Sequence, residues 1–188
     1  MLGRLLNRRA RRKQAERLHE DIIAQSRQPL FYAQLGVPDT MLGRYEMVCL
    51  HAYLFLTRLN RESEEGHQLA QTLHNLIFDD FDVALREAGL GDMGVGKRIK
   101  KLARNLHGRI SVYEAGLASD DEELEAILRR NMYASAEPDA SQVAGMIAYI
   151  KAARQEMDAC SGEAMFAGNP AFPDTDAIAP DAPESVTA

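Results

Sequence analysis

The sequence has few of the residues that mark disulfide-rich or β-rich proteins. Tryptophan is absent, and the 188 residues include only six phenylalanines and six tyrosines. This low aromatic content weakly favours helices over a β-sandwich. Only two cysteines occur, Cys49 in the most apolar stretch and Cys160 near the C-terminus. Two isolated cysteines exclude a disulfide framework and indicate a reducing compartment.

Long apolar runs are also missing. The longest, residues 47–56, has ten residues and is interrupted by His51. Because a helix needs about 20 apolar residues to cross a bilayer, this run predicts a buried helix, with His51 bonded to a neighbouring carbonyl or carboxylate. Leu2, Leu5 and Leu6 are too dispersed among arginines to form the apolar part of a signal peptide. We therefore expect a cytoplasmic protein, peripheral on the inner membrane.

Charge is distributed unevenly along a chain whose formal net charge is −6. Residues 1–13 carry six basic side chains and no acid, and residues 94–110 again carry six basic side chains and no acid. Residues 158–188 carry six acids and no lysine or arginine. Two basic blocks in an acidic chain indicate localised contact with anionic partners.

Apolar residues recur at helical spacing almost throughout the chain, and no strand pattern is evident. The pattern predicts an all-α fold, a single compact bundle of about six helices over residues 15–160. Residues 1–14 are expected to form a basic N-terminal arm, and residues 161–188 a disordered acidic tail. The expected helices cover residues 15–27, 41–59, 63–88, 94–110, 119–131 and 138–157.

The stretch GDMGVGKR, residues 91–98, nearly matches a phosphate-binding loop, but Arg98 stands where that loop has serine or threonine. A working loop follows a β-strand, which aims its N–H groups at the phosphates. Here the preceding sequence is helical, so the glycines are better explained as the end of one helix and the start of the next. No nucleotide binding is expected.

The helix that follows is basic over its exposed face. Solvated helices usually alternate glutamate with lysine, since opposite charges four residues apart stabilise them. A face without acids indicates contact with phosphate, an acidic protein or anionic lipid. One alternative function is therefore a nucleic-acid-binding helical module that uses residues 97–109. The basic side chains of this face are Lys97, Arg98, Lys100, Lys101 and Arg104.

Three acids, Asp79, Asp80 and Asp82, lie near the C-terminal half of a predicted helix. Negative charge there opposes the helix dipole. The unfavourable position indicates a basic partner, either in another protein or within this chain at Arg86, Lys97 or Arg98.

Two Glu-x-x-His pairs, Glu16/His19 and Glu64/His67, allow a second alternative. Such pairs build di-iron sites in four-helix bundles when two further helices each supply a glutamate. Glu46 is one candidate, but no second inward glutamate is evident and Glu64 lies at a helix entrance. A small di-iron-like metal-binding protein therefore remains the weaker interpretation, and no metal or cofactor is expected.

Four stretches, taken in their order along the chain, resemble the ubiquinol–cytochrome c chaperone family, which assembles respiratory complex III. They are FYAQLGVPDT, RYEM followed by LH, DDFD followed by LREAGLGD, and VGKRIKKLA. The resemblance covers roughly residues 23–155. It implies an all-helical, non-enzymatic chaperone that binds newly made cytochrome b and supports assembly of ubiquinol–cytochrome c reductase.

The resemblance also guides the choice of partners and site residues. It implies no catalytic residue, cofactor or small-molecule substrate, and the short N-terminal extension favours a bacterial member over a mitochondrial one. Further expected partners are an anionic membrane surface or the ribosome. The candidate partner-binding residues are Asp79, Asp80, Asp82, Lys97, Arg98, Lys100, Lys101 and Arg104. The candidate membrane-contact residues are Arg8, Arg9, Arg11, Arg12 and Lys13.

Overall fold

The computed structural model describes residues 2–87, 106–167, 170 and 172–173, and these residues form helices with no strand. The predicted all-α class is therefore confirmed. The helices are α1 (Leu2–Ser26), α2 (Pro29–Ala33), α3 (Met41–Leu59), α4 (Glu64–Glu87), α5 (described over 106–118), α6 (Asp121–Asn131), α7 (Ala140–Ala159) and α8 (Gly162–Ala167).

Helix α3 is the centre of the bundle because it is apolar on nearly every face. Its side chains from Cys49 to Leu56 are all at most 4% exposed. Helices α1 and α4 pack against α3 and against each other, while α7 covers another side of α3 and also contacts α6. Among the described residues, no helix is both long and apolar enough to cross a membrane.

Side-chain caps set where three helices begin. The Thr40 hydroxyl accepts a hydrogen bond from the backbone N–H of Gly43 at 3.2 Å and so opens α3. Asp120 opens α6 in the same way, and Asp139 opens α7 within a capping box. These side chains satisfy N–H groups that have no partner inside the helix.

A buried polar network joins α1, α3 and α7 around His51. His51 Nδ1 lies 2.8 Å from the Met47 carbonyl oxygen, and Nε2 lies 2.7 Å from the Tyr149 hydroxyl. Because a carbonyl only accepts, Nδ1 carries the proton and Nε2 accepts from Tyr149. Gln25 Nε2 donates to the same hydroxyl at 3.1 Å, and Ser26 Oγ lies 3.1 Å from Nδ1. The expected carbonyl bond of His51 is confirmed.

Two helix boundaries differ from the sequence-based prediction. Helix α1 begins at Leu2 instead of residue 15, so residues 8–13 are helical. Helix α8 lies beyond residue 160, and its Met165 is fully buried. The Phe172 ring lies 5.7 Å from that of Phe55, measured between centroids. Placing all of 161–188 in a disordered tail was therefore wrong for these residues, because Met165 and Phe172 cover core surface.

Candidate partner-binding site

An open apolar chamber of about 680 Å³ lies where the C-terminal end of α1 meets the first half of α3. The rings of Tyr45 on α3 and Phe81 on α4 form one wall, with centroids 5.1 Å apart. Apolar side chains with a few polar groups are the usual lining of a binding cavity. The apolar lining includes Ile23, Met41, Leu42, Val48 and Phe81.

The rim of the chamber exposes two large apolar side chains at the start of α3. Met41 is 63% exposed and Leu42 is 50% exposed. They occupy the first turn after the Thr40 cap, where the helix has not yet entered the bundle. Large apolar side chains beside an apolar cavity mark a surface that a partner covers. The sequence-based prediction did not include this pair, although a cap signal that is directly followed by two large apolar residues could have indicated it.

An internal ion pair forms part of the wall of the chamber. Arg109 Nε and Nη2 donate to the two carboxylate oxygens of Glu46 at 2.7 and 2.6 Å. The Glu46 side chain is only 1% exposed, and that of Arg109 is 24% exposed. Hydrogen bonding to Glu46 raises the pKa of the Arg109 guanidinium. Arg109 is therefore engaged inside the fold, contrary to its assignment to a nucleic-acid-binding surface.

A smaller cleft of about 310 Å³ adjoins the chamber, and the two share Arg27, Tyr32 and Arg44. Arg44 Nε donates to Asp39 Oδ1 at 2.6 Å, and this bond lowers the pKa of the Asp39 carboxyl. The Tyr32 hydroxyl donates to the Ser26 carbonyl at 2.6 Å. The chamber thus opens beside a charged and polar cleft.

The structure places part of the predicted acidic group at this site. Asp79 and Asp80 are exposed on α4, and Asp80 lines the chamber. Asp80 Oδ2 lies 3.9 Å from His19 Nε2, which is beyond hydrogen-bond distance. The Asp82 side chain is outside the described residues. The same holds for GDMGVGKR and for the predicted basic partner-binding residues Lys97, Arg98, Lys100, Lys101 and Arg104.

The candidate membrane-contact residues lie on the N-terminal half of α1, far from the chamber. Arg8, Arg9, Arg12 and Lys13 are exposed. Arg11 is partly buried and donates a hydrogen bond to Gln68 of α4. Several turns of α1 separate these five cations from Ile23, which lines the chamber.

The glutamates and histidines of the di-iron alternative have other contacts. Glu16 accepts from Arg12 at 2.8 Å, and His67 Nε2 lies 3.0 Å from the Asn60 carbonyl oxygen. Glu46 is bound by Arg109 instead of facing the two pairs. In the part of the chain that the structure describes, no group of three potential ligands could hold a metal ion.

Comparison with known proteins gives the same family from sequence and from structure. A crystal structure of the Cbp3 homolog from Brucella abortus is 41% identical, with a TM-score of 0.82 over 94% of this chain and 98% of that chain. Mouse ubiquinol-cytochrome c reductase complex assembly factor 1 is 24% identical over 133 residues, which are 71% of this chain and 45% of the mouse protein.

Yeast mitochondrial protein CBP3 is 26% identical over 106 residues, which are 55% of this chain and 32% of the yeast protein. The chain therefore spans less than half the length of the mouse relative and a third of the yeast one. The model of the ubiquinol-cytochrome C chaperone family matches residues 33–172, which include α3 to α7 and the chamber residues from Met41 to Arg109. This chain belongs to the ubiquinol-cytochrome C chaperone family.

Proposed function

We propose that this chain is a non-enzymatic assembly chaperone of the ubiquinol–cytochrome c reductase complex, and that it binds newly made cytochrome b in the apolar chamber. The family is one of assembly chaperones for this complex, which supports the first part of the proposal. The chamber supports the second part. Cytochrome b is a membrane protein with apolar helices, and these helices need an apolar contact until they are assembled.

The single observation that carries the proposal is the apolar chamber with Met41 and Leu42 exposed at its rim. An apolar helix binds a groove through side chains spaced three and four residues apart. Methionine suits such a surface, because its flexible side chain adapts to different partners. Covering Met41 and Leu42 would remove apolar surface from water, which is the main driving force for such binding.

The charges around the chamber fit an occupant that is apolar in the middle and polar at its ends. Glu46 and Arg109 neutralise each other at the wall, so an apolar side chain meets no unpaired buried charge there. Asp80 and Arg27 lie at the lining where polar flanking residues would pass. The acids Asp79 and Asp82 and the basic residues Lys97, Arg98, Lys100, Lys101 and Arg104 are proposed to extend this contact.

Cross-linking in living cells tests the proposal directly. A photoreactive amino acid in place of Leu42 is expected to cross-link to cytochrome b. The same amino acid at Ala148 is the control, because Ala148 is exposed on α7 and does not line the chamber. Absence of cytochrome b from the Leu42 adducts, or equal recovery from both positions, would contradict the chamber as the binding site.

A charge variant provides a second measurement. Leu42→Glu is expected to lower the cytochrome b that co-purifies with the chain by about tenfold, because it places a carboxylate against an apolar segment. The acid lies in the first turn of α3, where the helix dipole favours it, so the fold is retained. Ala148→Glu on the exposed side of α7 is expected to leave the recovery unchanged.

A further inference from the structure

We propose that the N-terminal half of α1 docks this protein onto an anionic bilayer through a basic face formed by Arg9, Arg12 and Lys13. Their spacing of three and four residues places them on one side of the helix. All three are exposed, and the Arg12 side chain is 68% exposed. Arg8 extends the face on one side.

This basic face is turned away from the bundle. The opposite side of α1 carries Ala15, Leu18 and Ile22, which are all fully buried. Arg11 lies on the same side as these three residues, and it donates to Gln68 and holds this part of α1 against α4. The helix is therefore fixed to the fold along one side and presents its basic side to whatever lies outside.

The charges of the basic face are not neutralised within the described part of the chain. Arg12 pairs with Glu16 at 2.8 Å, and that pair is exposed on both sides and therefore weak. Among the described residues, no acid makes an ion pair with Arg9 or Lys13. The chain as a whole has a net charge of −6, so this positive face has the opposite sign to the net charge of the protein. An anionic partner is complementary to it.

The sequence of this half of α1 favours a bilayer over RNA as the partner. Leu2, Leu5 and Leu6 precede Arg9 by about two turns or less, and their backbone positions in α1 share its side. A helix with leucines and basic residues on one side lies at the boundary between lipid headgroups and acyl chains. Residues 1–17 contain no aromatic residue, whereas binding to single-stranded RNA uses aromatic side chains for base stacking.

The position of the face leaves the chamber accessible. Arg9 and the chamber residue Ile23 are separated along α1 by about 20 Å, at a rise of about 1.5 Å per residue. A protein held at the bilayer by the first turns of α1 therefore keeps the chamber open at the other end of the helix. Membrane binding does not depend on cytochrome b, so it is tested separately from the proposed function.

Co-sedimentation of the full chain with vesicles tests the docking face. The vesicles contain either phosphatidylcholine alone or phosphatidylcholine with about a third phosphatidylglycerol. The test variant is Arg9→Gln/Arg12→Gln/Lys13→Gln. The matched control is Arg129→Gln/Arg130→Gln/Lys151→Gln, which removes the same three charges from exposed positions on α6 and α7. Circular dichroism melting shows that each variant is folded.

The wild type and the control are expected to bind the anionic vesicles and not the neutral ones. The test variant is expected to lose at least about tenfold in partition coefficient, and added salt is expected to weaken the wild type toward the same level. Equal binding by test and control variants would overturn the proposal. So would wild-type binding that ignores the anionic lipid, or tighter wild-type binding to RNA than to anionic vesicles at the same salt.

Discussion

The ion pair of Glu46 and Arg109 accounts for a carboxylate in an otherwise apolar helix. Moving a carboxylate out of water is costly unless a partner supplies both charge and hydrogen bonds. Arg109 supplies both, through two bonds of 2.6 and 2.7 Å to a Glu46 side chain that is 1% exposed. The pair also fixes α5 against α3 at the wall of the chamber.

Arg109→Met is expected to destabilise the protein by about 3 kcal/mol, because it leaves the buried Glu46 carboxylate without its partner. Urea denaturation measures the free energy of unfolding. The double variant Glu46→Gln/Arg109→Met removes both charges and is expected to recover most of the loss. If the single variant were as stable as the wild type, the pair would carry no such role.

At the scale of single residues, the sequence indicates that Glu46 needs a charged partner but does not identify that partner. A glutamate within an apolar helix must be compensated, which follows from the position of Glu46 alone. Arg109 lies 63 positions further along the chain, in a stretch whose other basic residues predict an external partner. Only the packing of α5 on α3 shows that Arg109 has an internal partner, which the basic residues near it in the sequence do not reveal.

The His51 network acts at the scale of helices, because it joins α1, α3 and α7. Burial lowers the pKa of His51 to about 4, so the ring stays neutral in the folded protein. Desolvation likewise raises the pKa of Tyr149, which therefore remains a hydroxyl donor. A neutral ring with one donor and one acceptor nitrogen matches the Met47 carbonyl and the Tyr149 hydroxyl.

The network makes stability depend on pH in a defined window. As pH falls from about 6.5 to about 4, the unfolded chain binds a proton at His51 that the folded chain does not. The free energy of unfolding is expected to decrease over this window, by about 3 kcal/mol in total, and His51 adds no pH dependence above it.

Urea denaturation of the wild type and His51→Gln at several pH values between these limits isolates the contribution of His51. The variant is expected to be less stable at neutral pH but to show a smaller loss on acidification. Identical pH dependence in the two proteins would contradict a neutral, buried His51.

The helices were predictable to the extent that their apolar residues repeat. Helix α3 was placed from Met41 to Leu59 by its apolar run and its cap, as observed. The start of α1 at Leu2 was not predicted, because the basic residues before Ala15 contribute no apolar repeat. Helix α8 was missed for a similar reason: Met165 and Phe172 are isolated apolar residues whose burial depends on core surface left open by other helices.

At the scale of the whole molecule, α1 links two surfaces for which we propose different partners. Its C-terminal end, with Ile23, borders the apolar chamber, and its N-terminal half carries the proposed membrane-docking face. Charge asymmetry along the chain indicated the basic residues from which that proposed face is built, and the structure shows Arg9, Arg12 and Lys13 exposed. The chamber was not predictable, because it is the space left between α1, α3, α4 and α5, and no local sequence pattern encodes it.

The most direct test of the account measures assembled cytochrome b in cells that lack this gene. Haem absorbance of isolated membranes reports the protein, and transcript level serves as the control. Without the gene, assembled cytochrome b is expected to fall while its transcript is unchanged. Wild type and Ala148→Glu are expected to restore it, and Leu42→Glu is expected to fail. Normal cytochrome b in the deletion strain, or full rescue by Leu42→Glu, would contradict the account.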